Sequence, residues 1–258
     1  MRDSRISEMK EYIEKCGIVS MEELSKVFEV SMVTVRRDVS ELQQAGAIEK
    51  VYGGVRKKDR GNLINFEERE TTNSEAKMVI GREAAKLLAD QDIVFVDSGT
   101  TTSCAIDYLG DKRITVVTAS LEVIEKAVKN DNIKLISLTG MYNRATNSFA
   151  GITTSEALGK FNITKALMAA SGVTIESGLT HASPWEYEIK TEAVKKAGQV
   201  ILMADSSKFD AVTLVTYCSL SKVDTVVTNE YPPEKFLEYF KEHHMELRVG
   251  ESGRQLRP

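Results

Sequence analysis

Prolines number only 4 and cysteines only 3 in the 258 residues, with 3 histidines and a single tryptophan. So little proline, beside a 42% hydrophobic and 28% charged composition, excludes collagen-like, low-complexity and disordered classes. Cys16, Cys104 and Cys218 are far apart and form no CxxC pair, which argues against a disulfide framework and leaves zinc or another tightly held metal without a ligand cluster. Lying in apolar segments, they read as small buried hydrophobes. No apolar run approaches the roughly 18 residues of a membrane span, and the polar start MRDSRISEMK is no signal peptide. The expectation is a cytoplasmic protein with no membrane partner and no cofactor. A GxSxG elbow is also missing, and His243-His244 fall in a charged C-terminal helix, which disfavours a hydrolase.

The length suits one large domain or two. A net charge of -4 conceals an asymmetry: residues 1–60 carry 12 Lys and Arg against 11 Asp and Glu, and the remainder 22 against 27. Within the first part the basic residues come late, at Arg36, Arg37, Lys50, Arg56, Lys57, Lys58 and Arg60. Such clustering suits an anionic partner or a solvated charged face.

Ile6, Met9, Ile13 and Cys16 share one stripe, the spacing of a one-sided helix that Gly17 ends. Ser20-Met21-Glu22-Glu23 has the capping-box pattern, and Leu24, Val27 and Phe28 give the following helix an apolar face. Ser31 is positioned to cap a third helix, in which Val35, Val39 and Leu42 recur inward and Gly46 is the stop. Steps of about 100° then put Val33, Arg36, Arg37, Ser40 and Gln44 outside. Ala47 to Tyr52 alternates, and Gly53-Gly54 signals a hairpin into Val55-Arg56-Lys57-Lys58. Three short helices and a basic hairpin make the winged helix-turn-helix plan, whose third helix enters the major groove of DNA. Candidate DNA-binding residues are Ser31, Val33, Thr34, Arg36, Arg37, Lys50 and Tyr52: arginine for guanine or phosphate, threonine for phosphate or a thymine methyl, Lys50 and Tyr52 for the backbone. The bland alternative is a helical domain whose basic face docks protein.

From Glu75 helical patterns alternate with apolar runs: a helix to Ala89, Ile93–Val96, a helix to Leu109, Ile114–Val117, a helix to Val128, and Ile133–Ile136. Ala166–Ala169, Val200–Met203 and Thr225–Val227 continue the series, so the expected fold is α/β, a doubly wound, mostly parallel sheet. Expected boundaries are 1–58 for the DNA-binding domain, 59–74 for a linker, 75–250 for the second domain and 251–258 for a tail. Ligands in such folds bind beyond the carboxyl ends of the strands. There stand Asp97-Ser98-Gly99-Thr100-Thr101-Thr102 ahead of a predicted helix, Thr118-Ala119-Ser120, Thr139-Gly140, Ser171-Gly172 and Asp205-Ser206-Ser207-Lys208. Hydroxyls, close backbone and lysine suit a small anionic polyol, while any single turn of this kind is most often just a turn. Lys190 alone reads as a solvated residue on an amphipathic helix, His181 as structural or exposed, and Trp185 and Tyr187 as interface packing or a pocket mouth.

Val19–Leu24, Phe28–Val39 with its VSxxTxRRD signature, and Gly46–Val55 resemble the DNA-binding domain of the DeoR family of bacterial transcriptional regulators. The resemblance continues through Asp97–Thr101, Ser148–Gly151, Gly178–Thr180, Glu186 with Lys190, and Asp205–Phe209, matching an effector domain similar in fold to ribose-phosphate isomerases and CoA transferases. It implies operator DNA as partner, a homo-oligomer (dimer or tetramer), and repression of a sugar or polyol operon relieved by a phosphorylated sugar. By the same resemblance Asp97–Thr102 and Lys208 hold the effector, Lys190 adds a positive charge, and Ser148 and Gly151 join the site. Ala119 and Met141 depart from the family's usual Asn and second Gly, which bears on the effector's hydroxyl pattern rather than the fold. Gly46–Val55, Asp97–Thr102 and Glu186–Lys190 look most like repressors of myo-inositol catabolism. The alternatives are a sugar-phosphate isomerase with an accessory DNA-binding domain, using Asp97 or Asp205 as base, and an interaction adaptor.

Overall fold

The computed structural model describes residues 2–16, 19–44, 47–51, 54–57 and 65–250, and divides into two units, Met1–Arg60 and Gly61–Pro258. In the first unit, helices α1 (Arg2–Cys16), α2 (Met21–Val27) and α3 (Met32–Gln44) precede an antiparallel hairpin of β1 (Ile48–Val51) and β2 (Gly54–Lys57). Met9, Ile13, Leu24, Val35, Val39, Leu42, Ile48 and Val55 form its core, so most of the helical stripes read from the sequence point inward, but Val27, expected on the apolar face of the second helix, is exposed. Cys16 is exposed too, at the end of α1, and Cys104 is only half-buried, leaving Cys218 alone among the three as a buried thiol.

Half of the expected capping box forms. The Glu23 amide donates to Ser20 Oγ at 3.0 Å, but the Glu23 carboxylate accepts from Tyr12 Oη at 3.0 Å and so ties α2 to α1 instead of reaching back. Arg5 Nε donates to Asp38 Oδ2 at 2.8 Å and clamps α1 to α3. Val19 exchanges two backbone hydrogen bonds of 2.8 Å with Val55, adding a third short strand to the hairpin, and a Cβ at Gly54 would collide with the Val19 carbonyl. The expected helix stops and turn at Gly17, Gly46 and Gly53 lie outside the described residues.

The second unit opens with α4 (Phe66–Thr71), inside the segment expected as linker, and α5 (Ser74–Lys86). Then follow β3 (Ile93–Val96), a 3-10 turn at Ser103–Tyr108, β4 (Ile114–Thr118), α6 (Leu121–Ala127), β5 (Ile133–Ser137), the hairpin β6 (Met141–Asn143) and β7 (Ser148–Ala150), and α7 (Ile152–Leu158). Next are β8 (Lys165–Met168), β9 (Gly172–Thr174), β10 (Gly178–His181), a 3-10 turn at Pro184–Glu186, α8 (Tyr187–Lys196), β11 (Gln199–Met203) and a 3-10 turn at Ser206–Lys208. The unit closes with β12 (Val215–Cys218), a 3-10 turn at Leu220–Lys222, β13 (Thr225–Thr228), α9 (Glu234–Glu242) and β14 (Glu246–Val249). The helix expected up to Leu109 is therefore a six-residue 3-10 turn.

The main sheet has seven parallel strands in the order β14-β13-β11-β8-β3-β4-β5. Alternate residues supply two cores. Phe95, Met168 and Leu202 pack on one face with Leu158, Ile189 and Phe236 from α7, α8 and α9, while Val94, Val96, Leu167 and Ile201 meet Ile80 and Ala84 of α5 and Val123 of α6 on the other. Burial on both faces explains why these strands read as continuous apolar runs. A small antiparallel sheet, β12-β10-β9, adds Leu179, Val173 and Cys218 to the first core. From β3 the chain winds outward through β4 and β5, and from β8 the opposite way through β11, β13 and β14. The switch point of the sheet falls between β3 and β8, and it is beyond the strand ends at such a point that open α/β sheets bind ligands.

Candidate functional site

On α3 the burial pattern separates two faces. Val35, Asp38, Val39 and Leu42 are buried, whereas Val33 is 76% exposed and Arg36 and Arg37 are exposed. Ser31 holds the start: the Thr34 amide donates to Ser31 Oγ at 3.3 Å, and the two hydroxyls lie 3.0 Å apart. Thr34 is half-buried and Lys50, on β1, is exposed. Tyr52 lies outside the described residues. The exposed face thus offers two guanidinium forks and one isopropyl group, the chemistry for guanine or phosphate and for a thymine methyl.

At the switch point the loop after β3 and the end of β8 are tied together. The Asp97 amide donates to Leu167 O at 3.0 Å, and the Ala169 amide to Asp97 Oδ2 at 2.9 Å. Lys190 of α8 reaches the same carboxylate oxygen in a buried ion pair, also donates to Ala169 O at 3.2 Å, and sits 5.1 Å above the Tyr217 ring. Lys190 is 1% exposed, so the expectation of a solvated lysine is corrected: its ammonium is sequestered because α8 packs this face onto the sheet. Asp97 Oδ1 is buried with no hydrogen-bond partner among the described residues, and points to an unfilled donor requirement. Tyr217 donates to Ala169 O at 2.8 Å, and burial raises its phenol well above the ordinary range.

Beside this pair runs a chain of hydrogen bonds through Ser171, His181, Glu186 and Ser148. Ser171 Oγ lies 3.2 Å from His181 Nδ1, His181 Nε2 lies 2.5 Å from Glu186 Oε2, and Ser148 Oγ donates to Glu186 Oε1 at 3.0 Å. Burial and then the Lys190 charge lower the His181 pKa, against the pull of Glu186. Burial of Glu186 acts to raise its carboxyl, but His181 and Lys190 outweigh it and hold the group below the carboxylate range. The pair is therefore a neutral imidazole donating Nε2–H to an ionised carboxylate.

Three further cations come from α4, α5 and the turn after β11. Lys77 of α5 is 5% exposed and donates to the Arg69 carbonyl of α4; burial, then the Lys208 charge, push its pKa down to about 8. Arg69 is half-buried, and burial lowers its pKa against the pull of Glu186, Asp97 and Glu122. Lys208 stands 3.6 Å from Asp205 Oδ2. Asp205, 1% exposed, accepts from the Ser207 amide at 3.0 Å and from Asn73 Nδ2 at 3.1 Å. Its burial favours protonation, which Lys208 and Ser207 overcome, so the carboxyl titrates below its ordinary value.

Not every expected site residue projects into this space. The Thr102 hydroxyl donates to Asp97 O and Gly99 O, both at 2.7 Å, and Thr118 donates to Val96 O at 2.7 Å. Both are spent on loop geometry. Ser98, Thr100 and Thr101 are buried in the same loop, and Gly99 is packed where a Cβ would strike Ala169. The Ser103 amide bonds Gly99 O at 3.2 Å and the Ala105 amide Thr102 O at 3.1 Å, so the loop runs into a short 3-10 turn and not into the expected helix. Gly172 lies against the Ala211 backbone, Gly140 against Thr154 Oγ1, and Gly151 takes φ 141° ahead of α7, which makes all three packing or turn positions. Trp185 and Tyr187 are exposed. Arg69, Asn73 and Lys77 escape a reading of strand ends because they come from α4, the turn after it and α5, all before β3. A lysine in line with Ile80 and Ala84 on the buried face of α5 is the one signal that finds any of them.

A model of the DeoR-like helix-turn-helix domain matches residues 5–60, and one of the DeoR C terminal sensor domain matches residues 72–230. The chain is 42% identical to the HTH-type transcriptional regulator IolR of Bacillus subtilis (strain 168), over 97% of this chain and 100% of that one. It is 27% identical to the HTH-type transcriptional repressor GlcR of the same organism, over 97% of both. Among solved structures it is similar to ribose 5-phosphate isomerase A of Methanocaldococcus jannaschii, with a TM-score of 0.40 and 18% identity, covering 54% of this chain and 55% of that one. The chain thus spans little more than half the length of the isomerase.

Proposed function

The chain belongs to the DeoR family of helix-turn-helix transcriptional regulators, and from that premise we propose that it represses a sugar or polyol catabolic operon until a phosphorylated sugar intermediate releases it. The exposed Val33, Arg36 and Arg37 on an α3 whose other face is buried is the observation that carries the DNA-binding half. An oligomer, dimer or tetramer, presents paired α3 helices to repeated half-sites in the cytoplasm. The segments that resemble repressors of myo-inositol catabolism make that pathway the proposed target. The sensor half is the space beyond β3 and β8, where Asp97 Oδ1 and the loop hydroxyls meet sugar oxygens and the cations around Lys208 meet phosphate. An isomerase reading finds no support in this geometry: Asp97 is paired with Lys190 and is not a free base.

Two substitutions separate the halves. Arg37→Ala weakens operator binding by about 1–3 kcal/mol while effector affinity stays intact. Lys208→Ala leaves operator binding intact but no longer relieved. Gel-shift titrations of both variants, with and without candidate sugar phosphates, read the two effects; normal relief in Lys208→Ala contradicts the site.

A further inference from the structure

Helix α4 is the first described element after the DNA-binding unit. Phe66 is its one buried side chain; Glu67, Glu68, Glu70 and Thr71 are exposed. A helix of six residues does not persist on propensity alone. Polar contacts from the sensor site also hold it. Lys77 donates to the Arg69 carbonyl, Asn73, at a left-handed φ of 55°, donates to Asp205, and Arg69 Nη2 donates to Ala145 O at 3.4 Å. Lys77 and Asn73 thus hold this segment and stand at the site at once.

With Lys77, Arg69 and Lys208 taken as the cations that meet the effector's phosphate, we propose that this anion, by drawing Lys77 off the Arg69 carbonyl, loosens α4. The inference rests on the reading that the effector occupies the strand ends. A phosphate dianion is a stronger acceptor for a buried ammonium than a neutral carbonyl, and it offsets the mutual repulsion of three cations. The depressed Lys77 pKa is the mark of that repulsion and burial. Because the anion binds better once Lys77 is released, it favours the loosened state, the differential affinity that coupling requires. In sequence, the loosened segment is the first described one after the DNA-binding unit.

The test is backbone amide exchange of residues 66–73 in the full-length chain. Without any ligand, Lys77→Met and Asn73→Asp each speed exchange there about ten-fold and leave β3 and β8 unchanged; Asn73→Asp keeps the size and the left-handed backbone but faces Asp205 with a second carboxylate. Unchanged exchange of 66–73 in both variants overturns the strap whatever binds. Inorganic phosphate, titrated into the unsubstituted protein at matched ionic strength, protects residues 97–102 and saturably accelerates 66–73. Protection of 97–102 with no change in 66–73 overturns the coupling. No protection at all counts against the effector site, while the two variants still decide the strap.

Discussion

Removing either partner of the buried Asp97–Lys190 pair strands a charge in the middle of the sensor unit, and that asymmetry governs what single residues do here. Lys190→Met lowers the stability of this unit by about 3–5 kcal/mol, and Asp97→Asn in the same chain restores most of it, because a neutral pair of similar volume leaves nothing uncompensated. Chemical unfolding of the single and double variants measures the cycle; additive losses contradict the pairing. A second consequence concerns pH. Burial lowers the His181 pKa from its ordinary 6.5, so the unfolded chain takes a proton there that the folded chain refuses. Stability contributed by neutral His181 is complete above 6.5 and declines as pH falls below it. Glu186, lowered from 4.5, acts in the same direction further down, since its ionised form is the one held by His181. The urea midpoint of the sensor unit therefore drops on going from about pH 7.5 to about pH 5, and His181→Gln flattens the upper part of that fall. A midpoint independent of pH in the unsubstituted protein argues against a neutral imidazole.

Elements of the DNA-binding unit depend on a few local devices. The wing is fastened through Val19 and Val55, and Gly54 permits the close approach; Gly54→Val forces the hairpin off Val19 and lowers the melting temperature of this unit, read by circular dichroism. An unchanged melting temperature contradicts the fastening. The helices of the DNA-binding unit were legible from their apolar stripes, the wing from alternation, and every parallel strand but β14 from a continuous apolar run. Phe66–Thr71 was not, since a six-residue helix with three glutamates and one buried phenylalanine has no period to detect. Ser103–Tyr108 looked helical because 3-10 and α segments share the same apolar spacing over so short a length. Lys190 illustrates the limit at the site: an amphipathic helix shows which face is apolar, but only the packing of α8 on the strands shows that a lysine can be buried when Asp97 waits beneath it. The Asp97 loop and Asp205–Lys208 were legible from their position after strands, whereas Arg69, Asn73 and Lys77 arrive from elements that precede the sheet.

At the scale of the whole molecule, a unit presenting exposed arginines is joined in one chain to a unit whose strand ends gather carboxylates, hydroxyls and cations. No helix among the described residues is long and apolar enough to cross a membrane. Affinity for DNA that depends on phosphate contacts falls steeply with salt, with a slope set by the number of contacts. The most direct measurement is fluorescence anisotropy of the full-length protein on DNA from upstream of its own operon, titrated with salt and then with phosphorylated intermediates of the neighbouring pathway, inositol intermediates among them. The account predicts sequence-specific binding with a steep salt slope that one phosphorylated compound releases at constant ionic strength. Absence of binding at low salt, or turnover of the sugar phosphate in place of release, contradicts it.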